Sequence, residues 1–494
     1  MDPLDFEPLY TAEQTRALDR CAIEGHGVPG ITLMARAARA AFDSLLAAWP
    51  APPRLDVLCG TGNNGGDGFL VADLAHKRGI PVTVHQVGDP DRIGGDAALA
   101  LEQARANGVP MQTFTGALSG EGVAVDALLG TGLGGEVRGA YREAIEAINS
   151  CGAAVLAVDV PSGLCADTGR VLGMAVRADL TVTFIGLKRG LFTLQAPDHV
   201  GELQFADLGV PPEIYAEVST DTWRLELEPL LETLQTPQPA AAHKGLYGTV
   251  LVIGGDYGMA GAAALAGEAA LRCGAGLVRV ATRPEHVAPL VARTPELMPR
   301  GVESGEDVAS MLAAADVLVV GPGLGQSDWS AYLLRAALAS GKPAVLDADA
   351  LNLLAAGSVA ATPGARHVIT PHPGEAARLL GCSNAEVQGD RFAAARALQQ
   401  RLGGVAVLKG NGSLVCSNQH LLLSDSGNPG MASGGMGDVL SGVIGALLAQ
   451  GLSPEDAAAL GVCLHGTAGD LAAEDGQRGL LASDLMPWLR ALLG

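Results

Sequence analysis

Residues 428–438 read Asn428-Pro429-Gly430-Met431-Ala432-Ser433-Gly434-Gly435-Met436-Gly437-Asp438, and an uncharged apolar run, residues 439–448, follows. Glycines crowd into a turn, one carboxylate closes it, and a helix-like segment begins. Free backbone N–H groups at a helix start bind anions, and glycine lets a phosphate come close. Asp438 beside a bound phosphate is placed to take a proton from a hydroxyl or to hold a metal. The same carboxylate could serve only as a helix cap. A negative charge beside an anion-binding turn is unfavourable unless it has work to do, which favours the chemical reading.

Three regions of the first half put polar residues into similar turns. Residues 60–68 read Gly60-Thr61-Gly62-Asn63-Asn64-Gly65-Gly66-Asp67-Gly68, between a short apolar strand (residues 55–59) and a helical stretch through Lys77. Strand, glycine loop and helix make the βα unit of doubly wound sheets. The loop matches G-x-G-x-x-G, but the next strand, residues 80–87, ends without the acid that would grip a ribose. Ordinary dinucleotide redox binding is therefore disfavoured. Asn63, Asn64 and Asp67 are more polar than a simple phosphate turn needs and suit a ligand or cation held through oxygens. A strand at 123–129 carries Asp126 and runs into Gly130-Thr131-Gly132-Leu133-Gly134-Gly135-Glu136; another at 153–158 ends in Asp159-Val160-Pro161-Ser162-Gly163. Asp126 or Asp159 alone could be a structural cap. Several such tips at the carboxyl ends of strands together point to a site, and their oxygens suit a hard cation.

In the second half, strands are expected at 249–253, 317–320, 344–346, 367–370 and 405–408. Glycines close the first; the other four tips are Gly321-Pro322-Gly323-Leu324-Gly325, Asp347-Ala348-Asp349, Pro371-His372-Pro373-Gly374-Glu375, and Lys409-Gly410-Asn411-Gly412-Ser413. Lys409 among glycines and Ser413 suggests a nucleotide phosphate or ribose contact, yet no G-x-x-x-x-G-K-[ST] occurs, which excludes a P-loop NTPase. His372 is held between prolines and could be a pocket residue or a plain surface histidine.

The elements that must position these residues fill a chain of 494 residues, too long for one ordinary core. We expect an α/β protein of two three-layer domains, residues 1–220 and 243–494, joined by a linker at 221–242 that ends in the Pro/Ala-rich residues 234–242. A capping box at Thr11 and Gln14 opens a helix expected over residues 11–42. Hydrophobic residues make up 48% and charged residues 17%, with a net charge of −21. That charge disfavours nucleic acid and anionic membrane as partners. Anionic substrates must be held by local backbone dipoles and a few lysines. The eight cysteines are scattered, with no CxxC and no zinc spacing. With no apolar signal core at the N-terminus and no span-length apolar stretch, a cytoplasmic location and no membrane association are expected.

Together these motifs resemble a known pair of domains. The second half is similar to the ADP/ATP-dependent NAD(P)H-hydrate dehydratase domain of the ribokinase-like superfamily. The likeness rests on His243-Lys244-Gly245, residues 258–262, Gly321 to Gly325, residues 347–352, Thr370 to Glu375, Lys409-Gly410 and the Gly437-Asp438 turn. The first half resembles the NAD(P)H-hydrate epimerase domain, with a Rossmann-like sheet, through residues 62–68, Asp126, residues 130–133 and 159–163. The order is that of the fused bacterial repair enzymes. It departs at Ala35, where a glutamate is usual, and at Met436, where a smaller residue is common.

The resemblance implies repair of nicotinamide cofactor hydrated at ring carbon six, with the hydrates of NADH and NADPH (NADHX and NADPHX) as substrates. Phosphorylation of the ring hydroxyl by ADP or ATP, with Mg2+ on the nucleotide, would turn hydroxide into a good leaving group. Asp438 would deprotonate the hydroxyl. The Gly434 to Gly437 amides would stabilise the phosphoryl group, and Lys409, Gly410, Asn411, Gly412, Ser413 and Gly437 would hold the nucleotide. Ala262, Gly325 and His372, with Asp438, would line the hydrate pocket. In the first half the hydrate would lie against Asn63, Asn64, Gly65, Gly66, Asp67, Gly130 to Glu136 and Asp159, with Asp159 as base. Asn64, Asp126 and Ser162 would hold K+ (potassium). A homo-oligomer is expected. The competing readings are a ribokinase-type kinase of a vitamin-precursor alcohol, and a first half that only binds nucleotide or assembles.

Overall fold

The computed structural model describes residues 6–234 and 243–494. It divides into two compact units, Pro8–Thr220 and Asp221–Gly494, the latter including Phe6 and Glu7.

In the first unit, seven parallel strands lie in the spatial order Met111–Thr113, Val82–Gln86, Leu55–Cys59, Val123–Ala127, Ala154–Val158, Leu180–Phe184 and Glu202–Ala206. The central strands are buried on both faces, as their unbroken apolar runs require. Leu55, Val57 and Cys59 face a cluster built with helices Gly30–Ala48, Asn63–Lys77 and Gly95–Ala106, while Leu58 faces helix Gly139–Ser150 on the other side. Leu55–Cys59 pairs with Val82–Gln86 on one edge and Val123–Ala127 on the other. The chain therefore winds away in both directions from this strand, and a crevice opens at its carboxyl end. Gly60 closes that end. A Cβ there would stand 1.9 Å from the Leu128 carbonyl oxygen, so only glycine lets the two loops meet.

The helix expected over residues 11–42 is two. Ala12–Arg20 starts at the Thr11–Gln14 capping box, as expected, passes through a π turn at Cys21–Gly25, and stops; Gly30–Ala48 then begins behind Pro29. Gly27, with φ of +68°, and Pro29 break the periodicity between them.

In the second unit, parallel strands run in the order Met298–Gly301, Leu277–Thr282, Thr249–Ile253, Val317–Val320, Ala344–Leu346, His367–Ile369 and Val405–Leu408. Two antiparallel strands, Ser413–Cys416 and Leu421–Ser424, extend the sheet. Its switch point is at Thr249–Ile253. Helix Met436–Ala449 packs on Ala260–Arg272 so closely that a Cβ on Gly442 would lie 2.1 Å from the Ala266 carbonyl oxygen.

The first part of the linker expected at 221–242 folds into regular structure. Strand Thr222–Arg224 pairs with Leu421–Ser424, and helix Leu227–Leu231 follows it. Leu225 and Leu230 are buried in the core, which is why this stretch orders despite losing the βα rhythm. Residues 235–242, most of the Pro/Ala-rich stretch, lie outside the described residues. Among the described residues no helix is long and apolar enough to cross a membrane.

Candidate active sites

At the switch point of the first unit a cavity of about 520 Å³ is lined by Asn63, Asn64 and Asp67 from the glycine loop, residues 130–134, and Asp159. Of the other residues expected there, Gly65 and Gly66 serve packing: their Cβ atoms would fall 2.1 Å from the Gly60 carbonyl oxygen and 2.6 Å from Met34 Sδ. Gly135 and Glu136 do not line the cavity; Glu136 pairs with Arg138 at the surface, 3.2 Å away.

Asp159 sits just past strand Ala154–Val158 with φ of +68°, in the left-handed region that few non-glycine residues adopt and aspartate adopts more readily than most. It receives the Lys188 ammonium and, more weakly, the Thr183 hydroxyl at 3.3 Å and the Phe184 N–H at 3.4 Å. Asp67 accepts no hydrogen bond among the described residues. Burial, then the negative charges of Asp159 and Asp19, push its carboxyl well above the usual range. Burial raises Asp19 to about 6 against the pull of Lys188. Asp19 and Lys188 both line the cavity and were not singled out from sequence. Asp19 lies on the helix that opens at the Thr11–Gln14 capping box, to which no site residue was assigned, and Lys188 lies in the two-residue strand Leu187–Lys188.

Of the three residues expected to hold potassium, Asn64 lines the cavity, while Asp126 and Ser162 are fully buried. Ser162 donates to Asp126 through its hydroxyl (2.6 Å) and its N–H (2.7 Å), and Leu128 N–H adds a third bond at 3.2 Å. Burial outweighs these bonds and raises Asp126 to about 6. Asn64 is different: its amide nitrogen and oxygen are both buried without a partner. A buried amide left unmet is costly, so a ligand or cation with an oxygen preference fits there.

In the second unit the turn at 434–437 becomes the start of helix Met436–Ala449. Gly435 caps it with φ of +95°, no side chain caps it, and Asp438 stands in its first turn. The cap reading of Asp438 thus finds no support. Its carboxylate accepts no hydrogen bond and joins no ion pair among the described residues. Burial, then the charges of Asp347, Asp349 and Glu375, raise it to about 7, with Lys409 opposing. Lys409 Nζ donates to Asp347 Oδ1 at 2.7 Å. It also lies 3.0 Å from where a Cβ on Gly437 would be, so Lys409, Gly437 and Asp438 share one place.

His372 caps helix Pro373–Leu380, its Nδ1 accepting from Gly374 N–H at 3.0 Å, with Nε2 3.4 Å from Glu375 Oε1. Burial and then Lys409 lower its pKa, which sets it close to the lysine. Gly325 donates its N–H to Asp349 Oδ2 at 2.9 Å. Ala262 is near Gly323, whose Cβ would lie 3.1 Å from its own. Residues 410–413 turn on themselves: Ser413 Oγ accepts from Gly410 N–H at 3.3 Å and donates to Gly410 O at 3.1 Å. Asn411 is exposed within the turn and Gly412 is buried. Beneath them the buried Arg391 donates to the carbonyls of Leu408 (3.2 Å) and Gly412 (3.1 Å), a support that sequence reading missed. Among the described residues no group of three or more His, Cys, Asp or Glu is set to hold a metal ion. Two further residues of this centre, Asp347 and His465, had been given no role.

A family model described as NAD(P)H-hydrate dehydratase matches residues 250–490, and one described as YjeF-related protein N-terminus matches residues 30–190. The chain is 51% identical over 491 residues to the bifunctional NAD(P)H-hydrate repair enzyme Nnr of Coxiella burnetii, covering 98% of this chain and 99% of that one. To the enzyme of the same name from Escherichia coli K12 it is 47% identical over 490 residues, covering 98% and 94%. A solved ribokinase-like superfamily protein from Enterococcus faecalis V583 shares 31% identity with a TM-score of 0.52, covering 56% of this chain and 96% of that one. Fold and site define an α/β enzyme that joins a YjeF-related unit to a ribokinase-like one. The chain belongs to the bifunctional NAD(P)H-hydrate repair enzymes. Its work is the repair of hydrated nicotinamide cofactor.

Proposed function

We propose that the two units divide this repair between them. The second dehydrates the S form of the hydrate at the expense of ADP or ATP, and the first interconverts the R and S forms. The observation that carries the reading is the partnerless Asp438 at a helix start, beside an ammonium that is already engaged elsewhere.

In the dehydratase unit, Asp438 takes the proton of the carbon-six hydroxyl as that oxygen attacks the terminal phosphoryl group and the bond to the rest of the nucleotide breaks, releasing AMP from ADP or ADP from ATP. N–H groups of the first helical turn, which have no partner within the helix, and the Lys409 ammonium meet the charge that moves onto the phosphoryl oxygens. Phosphate then leaves with the carbon–oxygen bonding pair, the proton on carbon five passes to water, and the carbon–hydrogen pair it leaves behind restores the ring double bond. Mg2+ would arrive with the nucleotide phosphates, since the described residues offer no cage of their own, and would offset phosphate charge.

In the epimerase unit, Asp159 is the base and Lys188 keeps it oriented. The partnerless Asn64 amide fits potassium, with Asp126 and Ser162 behind it; the cation would offset negative charge near the glycine loops. All eight cysteines are free, which supports a cytoplasmic setting. The homo-oligomer stays part of the same proposal. The test is to mix the purified chain with hydrated cofactor and each nucleotide. Near-ultraviolet absorbance of reduced nicotinamide should return, with one inorganic phosphate released per turnover. A stable phosphoester in its place would overturn the dehydratase reading.

A further inference from the structure

Asp347 follows strand Ala344–Leu346 and stands at the cap position of helix Ala348–Ala355, where aspartate normally accepts from the helix's own N–H groups. Here it makes no such bond. Its carboxylate, 1% exposed, accepts from three other elements: Lys409 Nζ at 2.7 Å, Thr370 Oγ1 at 2.8 Å and Ser441 Oγ at 2.7 Å. Ser441 belongs to the helix that carries Asp438, and its hydroxyl is also 2.9 Å from the Gly437 carbonyl. The next residue, Ala348, has φ of +46°, a left-handed conformation that a non-glycine residue adopts at a cost. The chain thus gives up a cap and accepts local strain to aim one carboxylate at Lys409.

We propose that Asp347 is a positioning residue of the dehydratase centre: it pins the Lys409 ammonium against the Gly437 turn, where it serves the transferring phosphoryl group and is kept off Asp438. The inference rests on the roles given above to Asp438 and Lys409. Without Asp347, the ammonium has two acidic neighbours left, Asp438 and Glu375, both of which it already feels. Pairing with Asp438 would occupy the oxygen that must take the hydroxyl proton. The charged groups facing Asp438 are Asp347, Lys409, Asp349 and Glu375; His372 and His465 face Lys409 from two further helices.

The test uses the full chain, so that epimerisation by the other unit reports on its integrity. Asp347→Asn should lower dehydratase kcat about 10²-fold, the loss seen when one preorganised charge-stabilising group is removed from a reacting centre. It should also move the acid limb of the kcat/KM profile to lower pH, because a like charge has gone and Lys409 can now pair with Asp438. Loss of the Asp347 charge shifts that limb in either case, so the readout that a merely structural role would not move is the coupling of Asp347 to Lys409 in the double variant. Should Asp347→Asn fail to fold, Lys409→Met is compared with Lys409→Met/Asp347→Asn, which leaves no unpaired buried carboxylate. If Asp347 acts through Lys409, the second substitution changes dehydratase kcat less than about twofold. A wild-type rate and limb in Asp347→Asn, or a further tenfold loss in the double variant, would overturn the proposal. Full dehydration by Asp438→Ala would instead overturn the reading on which it rests.

Discussion

The ammonium of Lys188, 1% exposed, closes onto the carboxylate of Asp159 and is fixed there by the Phe184 carbonyl at 2.8 Å and the Thr183 hydroxyl at 3.0 Å. In its proposed role as base, Asp159 is held in one orientation before substrate arrives. Asp159→Ala should abolish catalysed interconversion of the hydrate epimers and leave dehydration of the S form at the wild-type rate, both read by chromatography of the two forms. Lys188→Met should also lose interconversion, and breaking the pair should destabilise the unit by on the order of 3 kcal/mol, visible in chemical unfolding. Unchanged interconversion in Asp159→Ala would remove it from the catalytic step.

Much of this architecture could be read from the chain. The glycine turns at 60–68 and 434–437 and the strand tips at Asp159, Asp347 and Lys409 are local patterns, and local patterns survive translation into sheet topology. What escaped detection was set by tertiary neighbours. Asp19 reads as one polar position of an amphipathic helix, and only the fold turns it into the cavity. Asp347 reads only as a strand tip, and only the packing of Lys409, Thr370 and Ser441 around it shows what its carboxylate holds. Lys188 has no motif around it at all. The antiparallel strands Ser413–Cys416 and Leu421–Ser424 were missed because short apolar runs after a glycine turn carry no period of their own.

As the proposed base, Asp438 should give the dehydratase its pH dependence. Raised to about 7, its carboxyl is largely protonated in mildly acidic solution and cannot accept the hydroxyl proton. The rate of nucleotide-dependent dehydration should therefore rise through an acid limb near pH 7. Asp438→Ala should lose at least 10²-fold in kcat while nucleotide Kd changes little, measured by stopped-flow absorbance and calorimetry. Removing a negative charge beside the phosphates could even tighten nucleotide binding, so a large loss of affinity would count against the assignment.

Gly437 separates stability from activity. It is helical, with no positive φ, so alanine should favour its helix by up to about 1 kcal/mol. Yet the added Cβ would stand 3.0 Å from Lys409 Nζ and 3.6 Å from Asp347 Oδ2. A free lysine would move aside; this one is tied to Asp347. Gly437→Ala should keep or raise Tm while KM for the nucleotide rises several-fold. Equal KM values in variant and wild type would mean that the phosphate end of the nucleotide lies elsewhere.

His465, on helix Pro454–Ala472, is half-buried beside the Met436 turn, with its Nε2 enclosed and without a partner. Burial pushes its pKa down to about 4 from the ordinary 6.5. As pH falls through 6.5 the unfolded chain takes up a proton that the folded chain refuses until about 4, so this residue's stabilisation is complete above 6.5 and is lost across that window. The slope for one proton is at most about 1.4 kcal/mol per pH unit. Asp19, Asp126 and Asp438 are raised in the fold and act with the opposite sign, gaining stability as pH falls, so the raw pH curve is a sum of opposing effects. The informative quantity is the difference between His465→Leu and wild type in urea unfolding, taken at each pH from 8 to about 4.5. The variant should lose ground at pH 8, where the neutral ring packs well, and recover relative to wild type as the solution is acidified. A pH-independent difference would mean that this histidine titrates in the folded protein as it does in the unfolded chain, and that its ring meets no burial penalty beneath the helix that carries Asp438.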